Sequence, residues 1–121
     1  MNRILVVDDS PGFRAMAAGL LTERGFDVLA AAGDGEQALA AVADQCPDGI
    51  LLDVNLPGRD GFAVAASLAA ACPGVRIVLT SADIAQLPDV VLKDCAAAAF
   101  VAKEDLVGAD LSQLFTKLAD T

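Results

Sequence analysis

The chain has 121 residues, 17 acidic against 8 basic, with three cysteines and no histidine, tryptophan or tyrosine. At this length one compact domain over residues 1–121 is expected, since single-core domains run to about 100–150 residues. A net charge of −9 opposes a phosphate backbone, so direct nucleic-acid binding is disfavoured. Lacking histidine, the chain has neither the commonest general acid/base nor any Ser-His-Asp or Cys-His mechanism, which leaves carboxylates, hydroxyls and lysine for chemistry. Cys46, Cys72 and Cys95 are odd in number and widely spaced, and read as buried thiols of a reducing cytosol rather than disulfides or zinc ligands.

The 55% apolar content comes largely from alanine. The longest uncharged stretch, 61–75, is broken by Pro73-Gly74 and falls short of the roughly 18 residues of a spanning helix. Nor does the N-terminus carry a secretory pattern, so a soluble cytoplasmic protein is expected.

Ile4-Leu5-Val6-Val7, ended by two acids, suits a strand buried on both faces. Pro11-Gly12 then opens a helix with Phe13, Met16, Ala17, Leu20 and Leu21 at helical spacing, stopping at Gly25. Phe26 to Leu29 reads as a second strand, and Asp34-Gly35-Glu36 starts a helix through Ala38, Leu39 and Val42 that ends before Pro47. Ile50-Leu51-Leu52 forms a third strand ending at Asp53, followed by a helix over about 62–71 closed by Pro73-Gly74. Val75 to Leu79 is the fourth strand. A helix within 84–95 starts at Pro88, which only a first turn tolerates. Phe100-Val101-Ala102 is the fifth strand, and Leu111, Leu114, Phe115 and Leu118 mark a last amphipathic helix. Five strands alternating with five helices give a doubly wound α/β fold, a five-stranded parallel sheet whose functional site lies at the carboxyl ends of the strands.

Those ends carry Asp8-Asp9 after strand one, Asp53 after strand three, Thr80-Ser81 after strand four and Lys103 after strand five. Gathering three carboxylates is unfavourable unless cations sit among them. Lys103 supplies one, and a hard divalent ion such as Mg²⁺ takes carboxylate oxygens while keeping waters for an incoming phosphate. A carboxylate in line with a phosphoryl donor forms an acyl phosphate, its charge neutralised by metal and lysine. Asp53, on the central strand between the acid pair and Lys103, is the candidate nucleophile.

These residues resemble those of the bacterial two-component response regulator receiver domains. The likeness runs from Ile4-Leu5-Val6-Val7-Asp8-Asp9-Ser10 through Leu51-Leu52-Asp53-Val54-Asn55-Leu56-Pro57-Gly58-Arg59-Asp60-Gly61 to Phe100-Val101-Ala102-Lys103. It implies a (βα)5 flavodoxin-like fold with Asp53 as phosphoacceptor. It further implies Mg²⁺ held by Asp9, by Asp8 partly through water, by Asp53 and by the backbone carbonyl of Asn55, with Lys103 pairing to the phosphate. Phe100 matches the aromatic switch position, whose ring turns inward when the strand-four hydroxyl moves to the phosphoryl group. Partners so implied are a sensor histidine kinase or a histidine phosphotransfer protein upstream, and a protein target or linked output domain downstream.

The switch hydroxyl is Ser81 or Thr80. Ser81 lies 28 residues after Asp53 and 22 before Lys103, the usual family intervals. Thr80 better fits the usual local wording of apolar run, Thr, small residue. Only one can face the site, because successive strand residues point to opposite sides, and Ser81 is favoured. Three departures from the family pattern matter: Glu104 follows Lys103 instead of the frequent proline, the glycine usual before strand five is replaced within Asp94-Cys95-Ala96-Ala97, and Pro88 interrupts the fourth helix region. The last two fall near the face of helix four, strand five and helix five that family members often use for output, so homodimerisation or partner choice through that face stays open.

Gly33-Asp34-Gly35-Glu36-Gln37-Ala38 imitates a dinucleotide-binding G-x-G-x-x-A, but its acids oppose a pyrophosphate and it follows the second strand. The acidic loop after strand one likewise argues against FMN. An aspartyl-nucleophile phosphatase would normally place a second carboxylate two residues after the nucleophile, where this chain has Asn55. Turnover of external substrates is therefore not expected, although slow self-hydrolysis is, and the resemblance implies that Asn55 and, on the Ser81 register, Asp83 tune its rate. Whether the chain is a stand-alone receiver or the receiver of a helix-turn-helix transcription regulator is left open, with 118–121 read as a plausible natural terminus.

Overall fold

The computed structural model describes residues 3–56, 60–81 and 99–116. Five strands, β1 (Arg3–Val7), β2 (Asp27–Ala32), β3 (Gly49–Asp53), β4 (Arg76–Ser81) and β5 (Ala99–Ala102), form one parallel sheet in the order β2-β1-β3-β4-β5. Helices α1 (Pro11–Glu23), α2 (Gly35–Asp44) and α3 (Gly61–Ala71) follow the first three strands. A 3₁₀ turn (Lys103–Asp105) and a C-terminal helix (Leu111–Thr116) follow β5.

Alternation along the strands builds two cores. Leu5, Val7, Ile50 and Leu52 pack against Ala38 and Val42 of α2 and Val64, Ala65 and Leu68 of α3. Ile4, Val6, Leu51 and Val78 pack on the other face against Ala17 and Leu21 of α1 and Leu111 and Phe115 of the C-terminal helix. Both faces are covered, as a parallel sheet requires. Each of the first three helices begins where a side-chain oxygen takes an otherwise orphaned N–H: Ser10 accepts from Phe13, Asp34 from Gln37 and Asp60 from Phe62. Gly25, with φ +92°, makes the turn that sends the chain from α1 into β2.

Two strands run further than the sequence reading gives them. β2 continues through Ala30-Ala31-Ala32, residues of weak strand preference that pair in register with Leu5, Val6 and Val7. Phe26 lies before it, edge-to-face on Phe115 with ring centroids 5.8 Å apart. β4 takes in Thr80 and Ser81, which pair with Val101 and Ala102. Met16, read as an apolar helix position, is exposed. The expected helix within 84–95, with Pro88, Asp83 and Cys95, lies outside the described residues, as does the expected end of the last helix beyond Thr116. Among the described residues no helix is long and apolar enough to cross a membrane.

The thiol reading of the cysteines is corrected. Cys46 and Cys72 are joined by a disulfide, with Cα atoms 5.7 Å apart across a sequence separation of 26. Helices of a parallel sheet run back against the strands, so the chain leaving α2 and the chain leaving α3 both arrive at the sheet's amino-terminal edge. Wide spacing in sequence becomes contact in space.

Candidate functional site

The strand order puts β1 and β3 side by side at the centre, and their carboxyl ends carry the acids. Asp8 follows β1 and is fully buried; Asp53 closes β3 and is 3% exposed; Asp9 is exposed. One carboxylate oxygen from each lies within 4.8 Å of the others. Lys103, at the end of β5, reaches across: its Nζ lies 2.8 Å from Asp8 Oδ2 and 3.2 Å from Asp53 Oδ2. The second oxygen of each buried acid is held by the local backbone, Asp8 Oδ1 accepting from Ser10 N–H at 2.9 Å and Asp53 Oδ1 from Asn55 N–H at 3.0 Å.

Burial alone would lower the pKa of Lys103, but the close approach of the Asp8 carboxylate and the charge of Asp53 outweigh that cost and leave it above 10.5. The ammonium is thus firmly retained between the two acids.

The donor set suits a hard divalent cation. Three carboxylates face one lysine ammonium, an excess of two negative charges. Asp8 Oδ2 is buried, and although Lys103 approaches it closely it accepts no well-directed hydrogen bond, so its lone pairs remain available to a metal.

The two hydroxyls face different ways. Thr80 is fully buried and its Oγ1 donates to the Leu52 carbonyl at 3.5 Å. Ser81 Oγ accepts from Asn55 Nδ2 at 3.3 Å, beside the loop that follows Asp53. Phe100 is half-buried, in register with Leu79, and packs against the α2–α3 core.

Two neighbours escape the sequence reading. The Lys103 ammonium sits over the Phe13 ring, 4.5 Å from its centroid, so the first turn of α1 supplies a wall for the cation as well as core. Arg14 Nη1 donates to the Asp8 carbonyl at 2.6 Å, and Gly33 leaves room for that guanidinium. Arg14 is the one basic residue between Ile4 and Glu23, the only hint available in sequence. At the dinucleotide look-alike, Asp34 accepts from Gln37 N–H and Gln37 Oε1 from Gly33 N–H, both at 2.8 Å. Those amides are already engaged by the chain's own carboxylate and amide, not open to a pyrophosphate.

The family profile of the response regulator receiver domain matches residues 4–114. The chain belongs to the response regulator receiver domain family. The receiver is 39% identical over 114 residues to a protein-glutamate methylesterase/protein-glutamine glutaminase of Caulobacter vibrioides, covering 90% of this chain and 33% of that protein. It is 48% identical over 81 residues to the DNA-binding response regulator MtrA of Mycolicibacterium smegmatis, covering 67% of this chain and 35% of that one. The chain thus spans about a third of the length of these curated relatives. Among solved structures, a response regulator from Burkholderia pseudomallei, crystallised with a phosphorylated aspartic acid, a calcium ion and citrate, superposes with a TM-score of 0.82 at 27% identity. That match covers 99% of this chain and 70% of the other.

Proposed function

We propose that this receiver takes a phosphoryl group onto Asp53 from the phosphohistidine of a sensor histidine kinase or a histidine phosphotransfer protein. The observation that carries the reading is the bridging of Asp8 and Asp53 by Lys103 at the carboxyl edge of the sheet, with Asp9 beside them. In the transfer, an Asp53 carboxylate oxygen bonds to phosphorus as the donor's P–N bond breaks, leaving an acyl phosphate here and an imidazole that takes up a proton there. Asn55 N–H and Lys103 fix the attacking carboxylate in the ground state. Mg²⁺ bound by Asp8, Asp9, Asp53 and the backbone carbonyl of Asn55 would supply the charge neutralisation that lets an anionic phosphoryl group approach a carboxylate cluster.

Once Asp53 carries the phosphoryl group, Lys103 exchanges a carboxylate oxygen for a phosphoryl oxygen. Ser81 is the hydroxyl we assign to follow it, because its Oγ already faces the Asn55 loop while that of Thr80 is turned to Leu52. Its movement would free space for Phe100 to turn inward and so change the β4–β5 face that a downstream partner, a linked output domain or a second phosphorylated copy reads. The lack of a carboxylate at Asn55 makes this a signalling acceptor rather than a phosphatase. Incubation with a small phosphodonor and Mg²⁺ should add one phosphoryl mass, lost in Asp53→Asn and suppressed by chelation; a gain that persists in Asp53→Asn would sink the assignment.

A further inference from the structure

We propose that Cys46 and Cys72 form a reversible redox site: a disulfide clamp between α2 and α3, opened by small thiols at Cys46. The two half-cystines differ sharply in access, since Cys46 is an exposed residue whereas Cys72 is 2% exposed. Exposed disulfides are the labile ones, and attack falls on the sulfur that an incoming thiolate can reach. A small-molecule thiol therefore bonds to Cys46 Sγ as the Cys46–Cys72 bond breaks, and the Cys72 thiolate leaves and takes up a proton. A second thiol then attacks the mixed disulfide, releasing Cys46 as a thiol and the two small thiols as their own disulfide. Two electrons and two protons enter the protein, and an oxidised small-molecule disulfide reverses the sequence.

Neither state requires refolding. Cys72 caps the C-terminus of α3 through its own N–H to Leu68 and sits in the apolar core, where a reduced thiol behaves as a small hydrophobe. The clamp nonetheless reaches towards the acceptor loop. At its other end α3 is seated on the chain just after Asp53, Gly61 N–H donating to the Val54 carbonyl at 3.1 Å. The bond thus fixes the far end of the helix whose near end abuts the loop carrying Asn55. None of this depends on Asp53 being a phosphoacceptor, and Asp53→Asn should leave the redox behaviour intact.

The test is peptide mapping with differential thiol labelling of the whole chain, equilibrated in buffers of varied oxidised-to-reduced glutathione ratio. A Cys46–Cys72 peptide should form in oxidising buffer, survive Cys95→Ser, vanish in Cys46→Ser, and open in reduced glutathione without loss of the folded circular dichroism spectrum. Cys72→Ser, lacking the resolving thiol, should accumulate a glutathione adduct on Cys46. In a Cys95→Ser background, Cys46→Ser should form at least tenfold less adduct than Cys72→Ser, because its remaining sulfur, at position 72, belongs to a buried residue. A linked peptide absent at every ratio, a bond that reduced glutathione cannot open in the folded protein, or equal adduct formation on the two variants in that background would each overturn the proposal.

Discussion

Gly61→Ala puts the link between the α3 N-terminus and the acceptor loop to the test. An added Cβ at Gly61 would lie 2.4 Å from Val54 Cα, 2.6 Å from its carbonyl oxygen and 2.7 Å from its carbonyl carbon. All three are backbone atoms, so relief needs α3 and the loop to part by about 1 Å before ordinary contact is reached. Overpacking costs about 1–3 kcal/mol, and three backbone clashes place this site in the upper half of that range, about 2–3 kcal/mol; a gain of about 1 kcal/mol from alanine's helix propensity leaves a net loss of about 1–2 kcal/mol. At about 2.1 cal/mol/K per residue this chain should melt about 4–8 °C lower. Because Asn55 N–H positions Asp53 Oδ1, the same displacement should slow phosphorylation by a small phosphodonor by on the order of 100-fold. Gly19→Ala is the matched control: it lies within α1 with no atom within 4 Å of the added carbon. There propensity acts alone, and a gain of about 1 kcal/mol is expected. Scanning calorimetry and phosphorylation rates on the two variants decide the matter. A Gly61→Ala protein as stable and as reactive as the parent would refute the seating of α3 on Val54.

Other expectations follow from the charge cluster and the disulfide. Lys103→Met strips the cation from two buried carboxylates and should cost about 2–3 kcal/mol, below the roughly 3–5 of a fully buried pair because the lysine side chain is 21% exposed; Asp53→Asn, which relieves repulsion, should raise the melting temperature instead. Lys103's pKa is raised on folding, so its ion pair stabilises fully below pH 10.5 and is lost as pH climbs through the higher folded value. Denaturation profiles should show that alkaline decline in the parent and a flatter one in Lys103→Met. Mg²⁺ at 100 times its dissociation constant should stabilise by about 2.7 kcal/mol, and Asp9→Ala, altering an exposed residue, should abolish that increment while sparing the metal-free melting temperature. Reducing the Cys46–Cys72 bond, which closes a loop of 26, should lower stability by about 3.5 kcal/mol by chain entropy. Urea midpoints with and without reductant measure the loss, and Cys46→Ser should show none.

Much of this site is legible in sequence because a charged residue ending an apolar run marks both a strand and its carboxyl end at once. Asp8-Asp9, Asp53 and Lys103 each announce themselves this way, and strand order alone then brings them together. Where local signals fall silent, so does the reading. Ala30-Ala31-Ala32 carry no strand preference, and it is pairing with β1 that recruits them. Thr80 and Ser81 look like residues leaving a strand, yet both are buried inside one, and only the packed sheet shows which hydroxyl meets Asn55. Phe13 satisfies a helical apolar pattern, and its role as a wall for Lys103 arises from the approach of an element 90 residues away in sequence. The disulfide is hidden for the same reason, since its partners meet only after two crossovers have formed.

The central claim rests on which carboxylate carries the phosphoryl group. Treatment with a small phosphodonor and Mg²⁺, borohydride reduction of the acyl phosphate, and peptide sequencing by mass spectrometry read that directly. Homoserine at position 53 and at no other acidic position is the predicted result; homoserine at position 8 or 9, or at none, would contradict the account.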